Sequence, residues 1–158
     1  MLLTGQFARS IDDKLRVAIP KSLRLALECP EGGDLYLAPG TDDSLALYTE
    51  DAFARLADRL AGVSPTRQDV RAFTRLFYAR AQRVQADGQG RVRIPQDLAT
   101  LAGLKKEVVL LGVQDHVEIW SARRWESYLD QQQGHYDEVA ETALSDPVTR
   151  GSSSGKRE

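Results

Sequence analysis

The sequence has little cysteine and little histidine: one cysteine, Cys29, and two widely separated histidines, His116 and His135, in 158 residues. One cysteine cannot form an internal disulfide, and two isolated histidines argue against a zinc site. No apolar run approaches the roughly 18 residues of a membrane span, and the first residues lack the basic and apolar stretches of a secretory signal. We therefore expect a cytoplasmic protein without a membrane partner, a metal or a cofactor.

An excess of positive charge is also absent. Lysine and arginine number 21 against 23 aspartate and glutamate residues, which gives a formal net charge of −2. This balance argues against indiscriminate nucleic-acid binding through bulk charge, so any basic surface must be local.

The chain contains an internal repeat. Residues 12–20 read DDKLRVAIP and residues 87–95 read DGQGRVRIP, with Asp, Arg, Val, Ile and Pro at a constant offset of 75. The match continues with a small slip, so that Phe53 corresponds to Trp125 at an offset of 72. Two copies of one unit account for most of the chain.

Each copy has the pattern strand, turn, strand, short helix, strand, turn, strand, helix. Val17 and Ile19 alternate with polar neighbours as a half-buried strand should, and Pro20 stands where it can open a short helix. Thr49 and Ser121 fit the caps of the helix that closes each copy.

The copies are joined by a helical connector. Ser64–Pro65 fits a helix start, and apolar residues at helical spacing continue to about Arg83. The end of the chain loses its aromatic residues and becomes rich in serine and glycine, which is typical of disorder. The predicted parts are a first module 5–51, connecting helices 52–80, a second module 81–124, a C-terminal helix 125–140 and a disordered tail 141–158.

The repeated motif places a carboxylate four residues before a guanidinium across a tight turn. Asp12 and Asp87 can accept hydrogen bonds from turn amides, while Arg16 and Arg91 begin the outgoing strands. The pairs are either surface salt bridges that stabilise the turns, worth about 0–1 kcal/mol each, or part of a ligand-contact surface. Repetition within one sequence does not separate these two interpretations.

The second copy predicts a sharp hairpin. Gly88 and Gly90 adopt positive φ at low cost. Arg91 and Arg93 then point to one side of the strand, while Val92 between them faces the core.

The local charge is positive around both motifs. Residues 9–24 hold five cations and two carboxylates, and residues 80–97 hold four cations and two carboxylates. The basic excess therefore lies on the repeated motif, where a compact basic surface can bind an anionic partner.

At these residues the sequence resembles a known family. The order Asp-x-x-x-Arg, Val-x-Ile-Pro and a short helix is similar to the AbrB-type swapped-hairpin DNA-binding module. Two such modules joined by helices resemble the MraZ family over residues 1 to about 135, and the segments LKKEVVLLG at 104–112 and EIWS at 118–121 extend the match. The resemblance implies an α+β fold of two tandem AbrB-like swapped-hairpin (double-psi-like) β-modules with connecting helices.

The resemblance also implies a function. It suggests a transcriptional regulator of the bacterial division and cell-wall gene cluster, nucleoid-associated and assembled as a ring-like homo-oligomer. Its partner would be double-stranded DNA carrying tandem short repeats near its own promoter.

The candidate site residues follow from the motif and the resemblance. The motif arginines are the first candidates for DNA contact, and two further arginines fall at basic positions of AbrB-type modules. The DNA-contact candidates are Arg16, Arg91, Arg9, Arg24, Lys14 and Arg93. The turn-structuring candidates are Asp12, Asp87, Gly88 and Gly90.

Two residues depart from the family pattern. The glycine usual before the motif arginine is kept as Gly90 but replaced by Leu15 in the first copy, where a left-handed backbone would cost about 1–2 kcal/mol. Val84 stands where the first copy has Arg9. The two DNA-facing sides are therefore not expected to be equivalent.

Two other functions compete with DNA binding. Gly88-Gln-Gly-Arg lacks the context of a phosphate-binding loop, and no Ser/His/Asp grouping is visible, so we do not expect an enzyme; His116 is expected in a turn. A non-DNA oligomeric interaction scaffold stays open, because swapped-hairpin modules associate under either interpretation. Phe73, Phe77 and Tyr78 indicate core or subunit packing rather than base stacking.

Overall fold

A computed structural model of the chain describes residues 2–27 and 33–145. These residues form eight β-strands and six α-helices. The strands are β1 (Gln6–Ser10), β2 (Arg16–Ala18), β3 (Asp34–Pro39), β4 (Leu45–Thr49), β5 (Gln82–Gln85), β6 (Arg91–Arg93), β7 (Glu107–Val113) and β8 (His116–Ser121). The helices are α1 (Lys21–Ala26), α2 (Glu50–Ala61), α3 (Gln68–Arg80), α4 (Gln96–Leu101), α5 (Ala122–Gln132) and α6 (Tyr136–Leu144), with a 3₁₀ turn at Gln133–His135.

Each copy of the repeat has the predicted order of elements, and the α+β class is confirmed. The helices that close the copies carry the expected caps. The Ala52 amide donates to Thr49 Oγ1 at 3.1 Å, and the Arg124 amide donates to Ser121 Oγ at 3.4 Å. Such caps satisfy amides that a helix leaves without partners at its first turn. Cys29 lies outside the described residues.

The strands of the two copies exchange places in the sheets. The larger sheet has the order β1-β7-β8-β4-β3-β5, and β2 pairs with β6 in a two-stranded sheet. Strand β1 of the first copy pairs with β7 of the second, and the matching β5 of the second copy pairs with β3 of the first. Interchanging the two copies gives the same strand order read from the opposite edge of the sheet, so the topology has an internal two-fold relation. The copies thus form one interdigitated unit that extends to Trp125.

The core lies between the sheets and the short helices. Val17 and Val92 face each other across the small sheet and are fully buried, as are Leu37 and Leu47 in the large sheet. Burial of each such side chain contributes about 1.5–3 kcal/mol relative to exposure. The small sheet is thereby anchored by its inner face and presents its outer face to solvent.

The connector differs from its prediction at its start. Helix α3 begins at Gln68 and not at Ser64–Pro65. The reason is local: Ser64 Oγ lies 2.8 Å from Thr66 Oγ1 and accepts from the Thr66 amide at 3.4 Å, so these residues form a turn. The helix ends at Arg80, before about Arg83, because the following residues join the large sheet as β5.

A second unit begins at Glu126. Its last helix, α6, continues to Leu144, four residues past the boundary at 140 that the sequence predicts. The residues after 140 include good helix formers, and Thr142 Oγ1 donates to the Glu138 carbonyl at 3.0 Å. Residues 146–158 of the predicted tail lie outside the described residues. Within the described ranges, no helix is both long and apolar enough to cross a membrane.

Candidate nucleic-acid interface

Both Asp-x-x-x-Arg motifs form the same closed turn. In the first, the Asp12 amide donates to the Arg16 carbonyl at 3.0 Å, and the Leu15 amide donates to the Asp12 carbonyl at 3.0 Å. The two equivalent bonds at residues 87–91 are each 2.9 Å long. Backbone hydrogen bonds alone therefore close each turn.

The Asp12 carboxylate organises the first turn. Its Oδ1 accepts from the amides of Lys14 and Arg16, each at 2.9 Å, and its Oδ2 accepts from Arg16 Nε at 2.7 Å. These bonds lower the pKa of Asp12, with the Arg16 amide as the largest cause. The carboxylate is thus held in its charged form, which is the form that fixes the guanidinium.

The Asp87 carboxylate does the same in the second turn. Its Oδ1 accepts from the amides of Gln89 at 2.9 Å and Arg91 at 3.0 Å, and its Oδ2 accepts from Arg91 Nε at 2.9 Å. The pKa of Asp87 is lowered, again chiefly by the motif arginine's amide. Gly88 is exposed in this turn, and the prediction that it has a positive φ is wrong. Of the two glycines only Gly90 has one, because the chain reverses at Gly90, just before the outgoing strand.

The motif arginines are oriented but still accessible. The side chains of Arg16 and Arg91 are 30% and 28% exposed. Each uses Nε to bind its aspartate, and a guanidinium carries four further N–H donors on its two Nη atoms. The bond to the turn aspartate thus sets the rotamer of each arginine, and its two Nη atoms supply a fork of hydrogen-bond donors.

The two motifs meet in one ribbon, the antiparallel pair β2/β6. Arg16 lies opposite Arg93, and Ala18 lies opposite Arg91. The central pair, Val17 and Val92, is buried, so the alternating residues on either side of it face outward. The outer face of the ribbon therefore carries three arginines and one alanine.

Each turn is tied to the other copy. The Ile19 amide donates to the Gly90 carbonyl at 3.0 Å, and the Ile94 amide donates to the Leu15 carbonyl at 2.8 Å. Leu15 and Gly90 both have positive φ, +60° and +73°. The sequence departure at Leu15 therefore leaves the backbone conformation of the turn unchanged.

Arg24 of the first copy lies against the turn of the second. Its Nε donates to the Ile19 carbonyl at 3.1 Å, and a Cβ added at Gly90 would overlap its guanidinium. Gly90 thus adopts its positive φ without the strain that a side chain would add, and its lack of a Cβ leaves the space that Arg24 occupies. The repeat equivalent of Arg24 is Ala99, so the two turns differ in this cation. The sequence gives no sign of this contact between copies.

The other two DNA-contact candidates, Arg9 and Lys14, lie close in sequence to the first turn. Arg9 is half-buried on β1, where its Nη1 donates to the Ala8 carbonyl at 2.8 Å and its Cζ lies 5.9 Å from the centroid of the Phe7 ring. Such a cation–π contact restricts the guanidinium. Lys14 is exposed within the first turn.

A half-buried polar cluster lies at the start of β8. His116 Nδ1 is 2.8 Å from Asp115 Oδ1, and His116 Nε2 is 3.3 Å from Glu118 Oε2. Glu118 raises the pKa of His116 and Asp115 adds to the effect, while His116 lowers the pKa of Glu118. The prediction that His116 is a turn residue is wrong, because it pairs with Tyr48 and Val113 as part of the sheet. The alternation of His116 and Glu118 on one strand face is the sequence signal for this cluster.

Comparisons with known proteins agree on one family. A family model described as "MraZ protein, putative antitoxin-like" matches residues 77–146. The transcriptional regulator MraZ of Alkaliphilus metalliredigens is 38% identical over 139 residues, which is 88% of this chain and 94% of the relative. Those of Acetivibrio thermocellus and Finegoldia magna are 39% identical over 137 residues and 35% identical over 140 residues. These alignments cover 87% and 89% of this chain and 93% and 95% of the relatives.

Proposed function

The chain belongs to the MraZ family, and from this premise we propose that it is a sequence-specific DNA-binding transcriptional regulator and not an enzyme. The relatives are named as transcriptional regulators, which agrees with the expectation from the motif. In finer terms, it acts in the cytoplasm at the nucleoid, on the gene cluster for division and cell-wall synthesis. It binds tandem short repeats in double-stranded DNA as a ring of subunits.

The observation that carries DNA binding is the outward face of the β2/β6 ribbon. A two-stranded ribbon fits the major groove, and arginine is the side chain that most often recognises guanine there, through two parallel hydrogen bonds. Arg16 and Arg91 are oriented by carboxylates in the unbound protein. Because their rotamers are already restricted, less side-chain entropy is lost on binding.

The charge of the chain supports assembly as the route to affinity. A subunit with a formal net charge of −2 and one small basic ribbon offers few phosphate contacts. Several ribbons joined in one particle would bind successive repeats at high effective concentration. The ring and the tandem repeats are therefore parts of one mechanism.

The test measures binding to the DNA upstream of the chain's own coding sequence, by fluorescence anisotropy at two salt concentrations. Arg16→Ala and Arg91→Ala should each weaken binding at least tenfold, with unchanged circular dichroism and unchanged assembly. Arg16→Lys and Arg91→Lys should rescue only part of the loss, because lysine keeps the charge but not the two-point geometry. Arg55→Ala, an equal charge change at an exposed position of α2, is the matched control.

Two results would contradict the proposal. Wild-type affinity in both alanine variants would remove the ribbon from the DNA interface. Assembly without DNA binding at either salt concentration would favour the alternative, a non-DNA oligomeric interaction scaffold.

A further inference from the structure

Helix α6 carries an apolar face that the described chain leaves exposed. Tyr136 is 73% exposed, Val139 49% and Leu144 84%. Their spacing of three and eight residues places them on one side of the helix. A nine-residue helix is marginal by itself in water, so this amphipathic segment requires a surface against which to pack.

A groove of matching character lies between α2 and α3. It encloses about 370 Å³, many times the roughly 30 Å³ that one liquid water occupies. Its lining is mostly apolar: Ala57, Leu60, Ala61, Val63, Val70 and Tyr78. Such a groove accommodates the apolar side chains of an amphipathic helix.

The two surfaces are opposite in charge. Arg71 and Arg75 lie at the groove, and Arg71 Nη1 donates to the carbonyls of Pro65 at 3.1 Å and Thr66 at 2.7 Å, which fixes its cation at the loop end. The sequence of α6, YDEVAETAL, has three carboxylates and no lysine or arginine. Complementary charge of this kind favours association and fixes its direction.

We propose that the α2–α3 groove of one subunit binds helix α6 of a second copy of this chain. The apolar face of α6 fills the groove, and Asp137 at the margin of that face lies toward Arg75. Groove and helix are different surfaces, so two copies can either exchange their helices in a closed dimer or repeat the contact head-to-tail, which closes a ring or extends a filament. The ring in the proposed function requires the head-to-tail arrangement. This inference rests on the self-association in the proposed function and names the surfaces that carry it.

The first test is disulfide capture between chains in a Cys29→Ser background. One chain carries Val139→Cys and a second, with a different tag, carries Ala61→Cys. Mild oxidation after co-expression should link the two tags. The pair Val139→Cys with Arg55→Cys should not link, because helical spacing places Arg55 on the face of α2 away from the groove-lining residues Ala57, Leu60 and Ala61.

The second test reverses the charges and follows assembly by analytical ultracentrifugation. Arg75→Glu and Asp137→Arg should each reduce the oligomer to smaller species, and the double variant should restore it. Arg55→Glu, an equal charge change at an exposed position on the face of α2 away from the groove, should leave assembly intact.

The outcomes separate this inference from the proposed function. If the wild-type protein assembles but the Val139→Cys and Ala61→Cys chains form no interchain link, or if Arg75→Glu and Asp137→Arg each assemble normally, the α6 contact is overturned but not the ring. In a further variant one chain carries both Val139→Cys and Ala61→Cys. A disulfide that forms within this chain but not between the two singly substituted chains would also overturn the α6 contact between subunits. A monomeric wild-type protein would overturn both.

Discussion

At the scale of single residues, Leu15 is informative because it has the left-handed conformation that Gly90 has in the other turn. This φ costs a leucine about 1–2 kcal/mol, and the side chain is only partly buried against the core. Leu15→Gly relieves the strain but gives up this packing, so we expect stability within about 1 kcal/mol of wild type. Leu15→Ala gives up the same packing and keeps the strain. The glycine variant should therefore melt above the alanine variant, the reverse of the usual order.

Gly90→Ala is the control for this comparison. It introduces both an unfavourable φ and an overlap with Arg24, so it should lower the melting temperature more than Leu15→Ala. An alanine variant at Leu15 that is more stable than the glycine variant would show that strain at this turn is negligible.

The His116 cluster predicts a pH dependence of stability. The folded-state pKa of His116 is raised, chiefly by Glu118. The contribution of His116 to the free energy of unfolding is therefore complete below its unfolded-state pKa of about 6.5 and is lost as the pH rises through its folded-state pKa. The pKa of Glu118 is lowered, so the contribution of Glu118 to the free energy of unfolding is lost as the pH falls through its folded-state pKa. We expect His116→Gln to be most destabilising near pH 5–6 and progressively less so as the pH rises through the folded-state pKa of His116. Urea unfolding at several pH values measures this.

The groups that face His116 bear on that expectation. Asp115 and Glu118 lie within 3.3 Å of its ring nitrogens, and the ring of Tyr48 on β4 is centred 5.2 Å away. Burial raises the pKa of Tyr48, with Asp115 and Glu118 adding to the effect, so Tyr48 stays neutral over the range in question. A destabilisation by His116→Gln that is equal at pH 5.5 and pH 8.5 would assign His116 a packing role only.

At the scale of elements, local patterns predict which segments are strands and helices but not which strands pair. Alternation shows which face of a strand is buried, and the hairpin β3/β4 is local enough to be predicted from its turn residues. The exchange of β1 and β5 between copies joins residues far apart in sequence, and no local pattern encodes it. For the same reason Arg24 was predictable as a basic residue but not as a neighbour of Gly90.

The β2/β6 ribbon yields an element-scale prediction. The repeat relates Ala18 to Arg93, so Ala18 is the one outward position of the ribbon without a cation. Ala18→Arg should strengthen DNA binding and steepen the plot of log affinity against log salt by about 0.9, the value for one added phosphate contact. Arg93→Ala should have the opposite effects. Salt titrations of DNA binding compare both with Arg55→Ala, and equal slopes in all three would place the ribbon outside the interface.

At the scale of the whole molecule, the position of the basic residues matters more than their number. The chain is acidic overall, yet its topology brings both repeated turns to one ribbon. The sequence identifies the motifs and their charge because each lies within about five consecutive residues. It does not reveal that they form one surface, because that depends on pairing between the copies.

The last prediction follows from this small surface per subunit. One ribbon makes few phosphate contacts, so a single DNA box should bind weakly and with a shallow salt dependence. When subunits are joined, binding of the first box places the next ribbon near the next box, which can raise affinity by roughly 10²–10⁴ without a new kind of contact. DNA with two or more boxes should therefore bind far more tightly than DNA with one. Shifting the spacing by half a helical turn should remove most of the gain, because the second box then faces away from its ribbon. Anisotropy titrations with one box, two boxes and two misphased boxes measure this, and equal affinity for all three would rule out multivalent binding while leaving DNA binding by a single subunit intact.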